Sequence, residues 1–298
     1  MLCPSCTAAM PDDDAFCEEC GTPLSSAAAV PDCPRCGAGA SRIDGDGYCA
    51  DCGFRRTPHE RDHVEIGLSA RFAGVSDRGR RHSSNEDYLV LRAGLIVLCD
   101  GVSSSQDAAL ASKAAGDAAA DSLEAGRSMK EAIAGAQAAV RRLPVKRGDA
   151  DAPSTTIVAA RISSGIAELG WAGDSRAYWI APGASRQLTI DDSWINEVVS
   201  SGQMSLAEAL ASKNAHAVTR WLGQDAGNDA SFMEFRLPGP GVLLLSSDGL
   251  WNYAQQTGEM EELVGTPADA LTVARKLVDY AKERGGADNV TAALWIET

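Results

Sequence analysis

Four short stretches hold the residues in this chain best suited to chemistry. They are Ser84-Asn85-Glu86-Asp87, Leu98-Cys99-Asp100-Gly101, Ser246-Ser247-Asp248-Gly249-Leu250-Trp251 and Ala287-Asp288-Asn289-Val290-Thr291. Asp100, Asp248 and the stretch carrying Glu86 and Asp87 each adjoin an apolar, strand-like run, and Asp288 opens one. Strand ends hold side chains rigidly, and carboxylates converging at neighbouring strand ends repel one another unless a cation neutralises them. An all-oxygen donor set selects hard divalent ions such as Mg²⁺ or Mn²⁺ over zinc. The chemistry this points to is a hydrolytic metal centre that handles phosphate.

A second set of ligands lies near the N-terminus. Eight of the nine cysteines form four Cys-x-x-Cys pairs: Cys3/Cys6, Cys17/Cys20, Cys33/Cys36 and Cys49/Cys52. One such turn brings two thiolates to a tetrahedral Zn²⁺, and two turns complete its shell. Gly21, Gly37 and Gly53 each follow a second cysteine, where the tight knuckle favours positive φ. The expectation is two structural Zn²⁺ ions, with the pairing of turns within or across Cys3–Cys20 and Cys33–Cys52 left open. A disulfide scaffold has no secretion signal to support it, and a redox dithiol would not need four copies.

The elements that must position these groups follow from pattern. Residues 1–54 read as a tandem, metal-held unit too small for a core of its own, and residues 55–65 as a polar linker. From residue 66 to residue 298, strands are expected at Ile66–Ser76, Tyr88–Arg92, Leu95–Cys99, Ser154–Ile162, Ile166–Gly173, Arg176–Ile180, Phe232–Leu237, Val242–Ser246 and Asn289–Ile296. Helices are expected at Gln106–Ala125, Ser128–Arg142, Asp192–Ser201, Leu206–Ala211, Ala217–Leu222 and Pro267–Arg284. Runs of strands broken by helix pairs imply an α+β sandwich, not a doubly wound parallel sheet.

Composition narrows the function classes. A net charge of −14 offers no field to attract a polyanion, so neither nucleic acid nor an anionic membrane is an expected partner. No apolar run approaches the roughly 20 residues of a membrane span. Missing export signals and thiol-based zinc sites imply a cytoplasmic protein.

Taken in order, these motifs resemble a metal-dependent serine/threonine phosphatase of the protein phosphatase 2C (PPM) family, bacterial type. The resemblance runs from about Ile66 to Glu297. It rests on Ser76-Asp77-Arg78-Gly79, Asn85-Glu86-Asp87, Asp100-Gly101, Ser154-Thr155-Thr156, Gly173-Asp174-Ser175-Arg176-Ala177-Tyr178 and Leu188-Thr189 with Asp192-Ser193. Thr219-Arg220 with Leu222-Gly223, Ser247-Asp248-Gly249-Leu250-Trp251 and Asp288-Asn289-Val290-Thr291 complete it. The cysteine-rich segment is similar to a double zinc ribbon. The resemblance implies a four-layer α-β-β-α sandwich of two antiparallel sheets, preceded by the small ribbon unit.

It also implies roles. Asp100, Gly101 through its carbonyl, Asp248 and Asp288 would hold two Mn²⁺ or Mg²⁺ ions, with Asp87 a direct or water-mediated ligand and Glu86 close behind it. Asp149 would serve a third, weaker metal, with Asp151 as the nearby alternative. Asp87, Asp100, Asp248 and Asp288 are thus the catalytic set: a water activated between two metals attacks the phosphorus of phosphoserine or phosphothreonine. The partners implied are phosphorylated proteins, together with an opposing serine/threonine kinase or another protein docked on the zinc ribbons.

Three positions depart from the family text. His82 stands where the phosphate-binding arginine is usual, and neutral imidazole cannot form a bidentate fork to phosphate. Arg81 is the neighbouring candidate. Val102-Ser103-Ser104-Ser105 follows Asp100-Gly101 in place of Met-Gly-Gly or a histidine, leaving a metal-bound water to protonate the leaving group; these serines suit a helix cap. Asp192 replaces a frequent histidine and is expected to cap the next helix.

Other residues read more simply. Trp171, Trp194, Trp221 and Trp251 are expected core anchors, and Cys99 a buried thiol. Asp174 and Arg176 are expected to form an ion pair behind the site. The rival reading is a pseudophosphatase that binds phosphoproteins without turnover, for which His82 speaks and the carboxylate set speaks against.

Overall fold

The computed structural model describes residues 32–33, 35–43, 47, 49–52, 54, 60–145, 151–215, 217–224, 226–227, 229–266 and 269–298. The chain forms two compact units, Met1–Pro58 and His59–Thr298. Within the first, a 3₁₀ turn spans Ala40–Arg42 and Ile43 bridges Cys49 in antiparallel fashion. Gly37 closes the knuckle at φ 73°, donating its N–H to the Cys33 carbonyl at 2.8 Å. That left-handed turn is the reason for the glycine.

The second unit runs β1 (His63–Ser69), β2 (Phe72–Asp77), β3 (Tyr88–Arg92), β4 (Leu95–Cys99), α1 (Ala108–Glu124), α2 (Met129–Arg141), β5 (Ser154–Thr155), β6 (Ile157–Ser163), β7 (Ile166–Ala172) and β8 (Arg176–Ile180). It continues through β9 (Arg186–Gln187), α3 (Trp194–Ser200), α4 (Leu206–Leu210), β10 (Leu222–Gly223), β11 (Ser231–Arg236), β12 (Gly241–Ser246), α5 (Asp248–Trp251), α6 (Thr257–Val264), α7 (Ala270–Glu283) and β13 (Val290–Glu297). One sheet has the order β1-β2-β13-β12-β8-β9, the other β11-β7-β6-β4-β3, and β5 and β10 form a small ribbon. Every strand pair is antiparallel.

The layering follows from period-two alternation in apolar strands. In β12, Val242 and Leu244 pack on α5, α6 and α7, while Leu243 and Leu245 face the other sheet. In β4, Leu95, Val97 and Cys99 pack on α1 and α2, while Ile96 and Leu98 enter the space between the sheets. Successive side chains point to opposite faces, so a strand apolar throughout must be covered on both. The result is the α-β-β-α sandwich. Helix starts are sealed locally: Ser128 and Glu131 form a reciprocal capping box on α2, and Asp269 caps α7.

Several elements differ from expectation. Ile66–Ser76 is a hairpin, turning at Ala70-Arg71, and β1 starts three residues earlier at His63. Among the described residues of 217–222, the chain is extended rather than helical, because Leu222 pairs with Thr155. Helices α5 and α6 and the short strands β9 and β10 had no sequence expectation, and the strand expected at Ser154–Ile162 divides at Thr156 into β5 and β6. Pro267 lies outside the described residues.

Candidate metal centre and active site

Antiparallel register sets the site. Tyr88 pairs with Cys99, Val290 with Asp77, and Ser246 with both Ala292 and Arg176. The ends of β2, β4, β7 and β12 and the beginnings of β3, β8 and β13 therefore share one end of the sandwich. Asp87, immediately before β3, Asp100 after β4, Asp174 between β7 and β8, Asp248 after β12, and Asp288 before β13 all gather there.

These five carboxylates act on one another. Burial, then Asp87, Asp248, Asp174 and Asp288, lift the Asp100 carboxyl well above the ordinary range. Burial, followed by Asp174, Asp288 and Asp87, does the same to Asp248. Asp87 rises to about 6, chiefly by burial, although the hydroxyls of Thr291 and Ser247 pull it down. Those hydroxyls donate to Asp87 Oδ2 at 2.6 and 2.7 Å, respectively. Asp87 Oδ1, equally buried, has no hydrogen-bond partner among the described residues. An orphaned carboxylate oxygen within a group of mutually repelling acids fits a bound cation, and an all-oxygen donor set fits a hard one.

Local packing fixes these positions. Gly249 lies so close to β13 that a Cβ would stand 1.9 Å from the Asn289 carbonyl oxygen. Asn289 in turn donates to the carbonyls of Arg78 and Ser84 and accepts the Glu86 N–H at 2.8 Å. The Glu86 carbonyl accepts the Gly101 N–H, and Gly101 bridges Thr155. Asn252 Nδ2 donates to Asp248 Oδ2 at 3.2 Å.

The departures from the family text also find places. His82 Nε2 lies 3.1 Å from Asp288 Oδ1, at the rim of the cluster. Arg81 is exposed and makes no ion pair among the described residues. Asp149 lies outside the described residues; Asp151 is exposed and accepts the Gln106 N–H on its carbonyl. The serines after Gly101 do not cap α1, whose N-cap is Asp107 at φ 48° with no side-chain cap. Ser103 instead donates to Glu86 Oε2 at 2.8 Å. Asp192 does not cap α3 either, since Ser193 accepts the Asn196 N–H. Asp192 accepts the Gly173 N–H and pairs with Arg220 at 3.2 Å, tying the segment before α3 to the end of β7.

Asp174, expected in an ion pair behind the site, stands instead among the clustered acids. Burial, Asp191 and Asp288 raise its carboxyl to about 6, and its charge in turn raises Asp100 and Asp248. Arg176 pairs with Asp191 at 2.6 Å, not with Asp174, and stacks 3.6 Å over Trp251. Trp251 donates to the Asp174 carbonyl and so borders the site as well as packing on the core. The signal for Asp174 in the sequence was the Gly173-Asp174-Ser175-Arg176 motif between two strands.

In the first unit, the ligand atoms of Cys33, Cys36, Cys49 and Cys52 all lie within 4.8 Å of one another. Burial raises the Cys33 thiol, but the N–H groups of Cys36 and Arg35 outweigh it and hold Cys33 near 7. Four thiols at this spacing suit one tetrahedral ion within a single repeat. Cys3, Cys6, Cys17 and Cys20 lie outside the described residues. No helix among the described residues is long and apolar enough to cross a membrane.

Known proteins agree with both units. A double zinc ribbon family profile matches residues 3–53. The protein phosphatase PhpP of Streptococcus pneumoniae is 30% identical over 233 residues, covering 74% of this chain and 94% of PhpP. The crystal structure of serine/threonine phosphatase Stp1 from Staphylococcus aureus superposes with a TM-score of 0.70 at 25% identity, over 82% of this chain and 99% of that one. The catalytic domain of PstP, solved in complex with two manganese ions, gives 0.65 at 26% identity, over 76% and 98%. With a fold, an acidic strand-end cluster and a near full-length relative in agreement, the chain belongs to the PPM-type (protein phosphatase 2C) serine/threonine phosphatase family.

Proposed function

We propose that Asp87, Asp100, Asp248 and Asp288, with the Gly101 carbonyl, hold two Mn²⁺ or Mg²⁺ ions and that the chain hydrolyses phosphoserine and phosphothreonine in proteins. The observation that carries this is the cluster of mutually repelling acids that includes the buried, unpartnered Asp87 Oδ1. When bound, such ions supply Lewis-acid activation of water and neutralise phosphoryl charge.

The chain's own residues organise the site. Ser247 and Thr291 fix one oxygen of Asp87 and thereby aim the other. Asn289 links the strand ends bearing Glu86 and Asp288, so the acids hold one arrangement as substrate arrives. His82 offers a ring nitrogen at the rim, where a phosphate oxygen can replace Asp288 as its partner. The Val102–Ser105 segment has no titrating side chain, so the leaving alkoxide takes its proton from water. A third cation at Asp149 or Asp151 is part of the same reading.

In the ribbon unit, Cys33, Cys36, Cys49 and Cys52 hold one Zn²⁺, and Cys3, Cys6, Cys17 and Cys20 a second. The ribbons dock a protein partner. Deleting residues 1–54 should then leave turnover of a small phosphoester intact while weakening action on full-length phosphoproteins.

The test is phosphate release from a phosphothreonine peptide with Mn²⁺, with EDTA, and with Asp248→Asn. Activity that both EDTA and the substitution abolish supports the reading. Manganese binding without turnover in the wild type sinks it in favour of a phosphate-reading module.

A further inference from the structure

A cavity of about 800 Å³ lies away from the acidic cluster, between α2 and the segment leading into β11. Its floor is apolar: Ile133 from α2, Leu222 from β10 and Phe232 from β11, the last 44% exposed. Its charged lining is Lys130, Arg141 and Arg142 against one acid, Asp229. In a chain of net charge −14, such a basic rim is a local reversal of sign. Arg141 is committed to the structure, donating to the carbonyls of Gly223 and Ala226. Lys130 and Arg142 are exposed and form no ion pair among the described residues.

Two further features fit an extended occupant. First, β11 is the edge strand of its sheet, so its backbone groups on the side away from β7 have no strand partner among the described residues. Second, the groove is built firmly. The Gln137 side chain accepts the Gly223 N–H and donates to the carbonyls of Gly223 and Gly227, joining α2 to the opposite wall. Leu222 lines this groove while Trp221 and Gln224 line a second cavity with Val102 and Ser104, next to Gly101. One short segment thus separates the groove from the surroundings of the cluster.

We propose that this groove binds an acidic, extended segment bearing an aromatic or aliphatic anchor, carried by the phosphoprotein substrates at a distance from the phosphorylated residue. The apolar floor takes the anchor, Lys130 and Arg142 meet the acidic side chains, and the β11 edge is available to the backbone. That the segment belongs to a substrate rests on the phosphatase reading; that the groove binds it does not.

The experiment uses the full chain and a fluorescein-labelled heptapeptide of alternating Asp/Glu and Phe/Leu, followed by anisotropy. The same peptide is also joined through a Gly/Ser linker to a phosphothreonine substrate. Lys130→Glu with Arg142→Glu, and separately Phe232→Ser, should each weaken peptide binding on the order of tenfold. They should raise KM for the extended substrate towards that of the unextended one, while kcat and p-nitrophenyl phosphate turnover stay unchanged. Equal binding by wild type and both variants overturns the proposal, as does equal affinity for a Lys/Phe peptide of the same length. Variant-sensitive binding without any phosphate release would keep the groove and remove the phosphatase reading.

Discussion

His82 Nε2 lies 3.1 Å from Asp288 Oδ1, so the residue in the usual arginine position is held by a carboxylate of the cluster itself. A single imidazole N–H can give one hydrogen bond to a phosphate oxygen where guanidinium gives two. His82→Ala should therefore raise KM for a phosphothreonine peptide only about fivefold, with kcat little changed, because one half-exposed hydrogen bond is lost. His82→Arg should lower KM below the wild-type value. Steady-state kinetics decide it, and a large fall in kcat for His82→Ala would mean that the ring does more than bind.

Asp248→Asn should have effects of opposite sign on activity and stability. Turnover should fall on the order of a thousandfold as a cation ligand is weakened. Without metal, the same variant should melt higher than the wild type at pH 8, since Asp248 is pressed by Asp174, Asp288 and Asp87. Calorimetry in EDTA gives the answer; a lower melting temperature would show that repulsion is not what strains the metal-free site.

The dependence of the metal-free protein on pH follows from linkage. Asp87 and Asp174 lie near 6 in the folded chain, and Asp100 and Asp248 are also raised well above the ordinary range, against about 4 when unfolded. Between those values the folded state binds more protons, so its stability falls as pH rises. In EDTA, Tm should drop from pH 5 to pH 8, and Mn²⁺ should raise it more at pH 8. On the acid side the sign reverses. Hydrogen bonding to Arg275 holds Glu65 near 2, and burial of Asp77 is outweighed by Lys282, the Gly79 N–H and His63. Their contribution is present above about 4 and disappears as pH falls further. A flat profile in EDTA from pH 5 to pH 8 would contradict the coupled cluster.

Gly249→Ala should destabilise the fold by about 3 kcal/mol, because the added methyl meets the Asn289 carbonyl oxygen and backbone must move. The displacement shifts Asp248 and Asn289 together, so Mn²⁺ affinity should fall as well. Denaturant unfolding and a metal titration measure the two effects separately.

Cys49→Ser should reduce bound zinc by one equivalent and leave p-nitrophenyl phosphate hydrolysis unchanged. Zinc content by elemental analysis, read beside the activity, tests it. Loss of both equivalents would mean that the two repeats do not bind their ions independently.

How far sequence could carry the reading depended on where each signal came from. The two-sheet sandwich was legible because β4 and the runs Ile157–Ala160 of β6 and Val242–Leu245 of β12 are apolar without a break, which only coverage on both faces explains. Asp100 and Asp248 were legible because each ends such a strand. The hairpin at Ala70-Arg71 was not, since its turn contains no Gly, Pro, Asn or Asp and the apolar alternation runs on across it. Asp174 was hidden because its membership in the cluster depends on β7 and β8 lying in different sheets, a long-range fact. Ser103 looked like a cap by local rule, but Asp107 in left-handed conformation starts the helix and frees Ser103 to hold Glu86. The 217–222 segment lost its helix to a two-residue pairing with Ser154-Thr155, a tertiary contact that no local pattern announces.

Because alternate strand ends carry all five acids, the opposite reversals carry none. The turns at Ala93-Gly94, Ser164-Gly165 and Pro238-Gly239-Pro240 join β3 to β4, β6 to β7 and β11 to β12 at the remote end. The scaffold is therefore polar in a practical sense, with chemistry committed at one pole and freedom to accept foreign sequence at the other. Insertions, tags or new chain ends placed at those three reversals would be borne by turns alone. The same protein could in this way gain regulatory modules without any adjustment to the residues that handle phosphate.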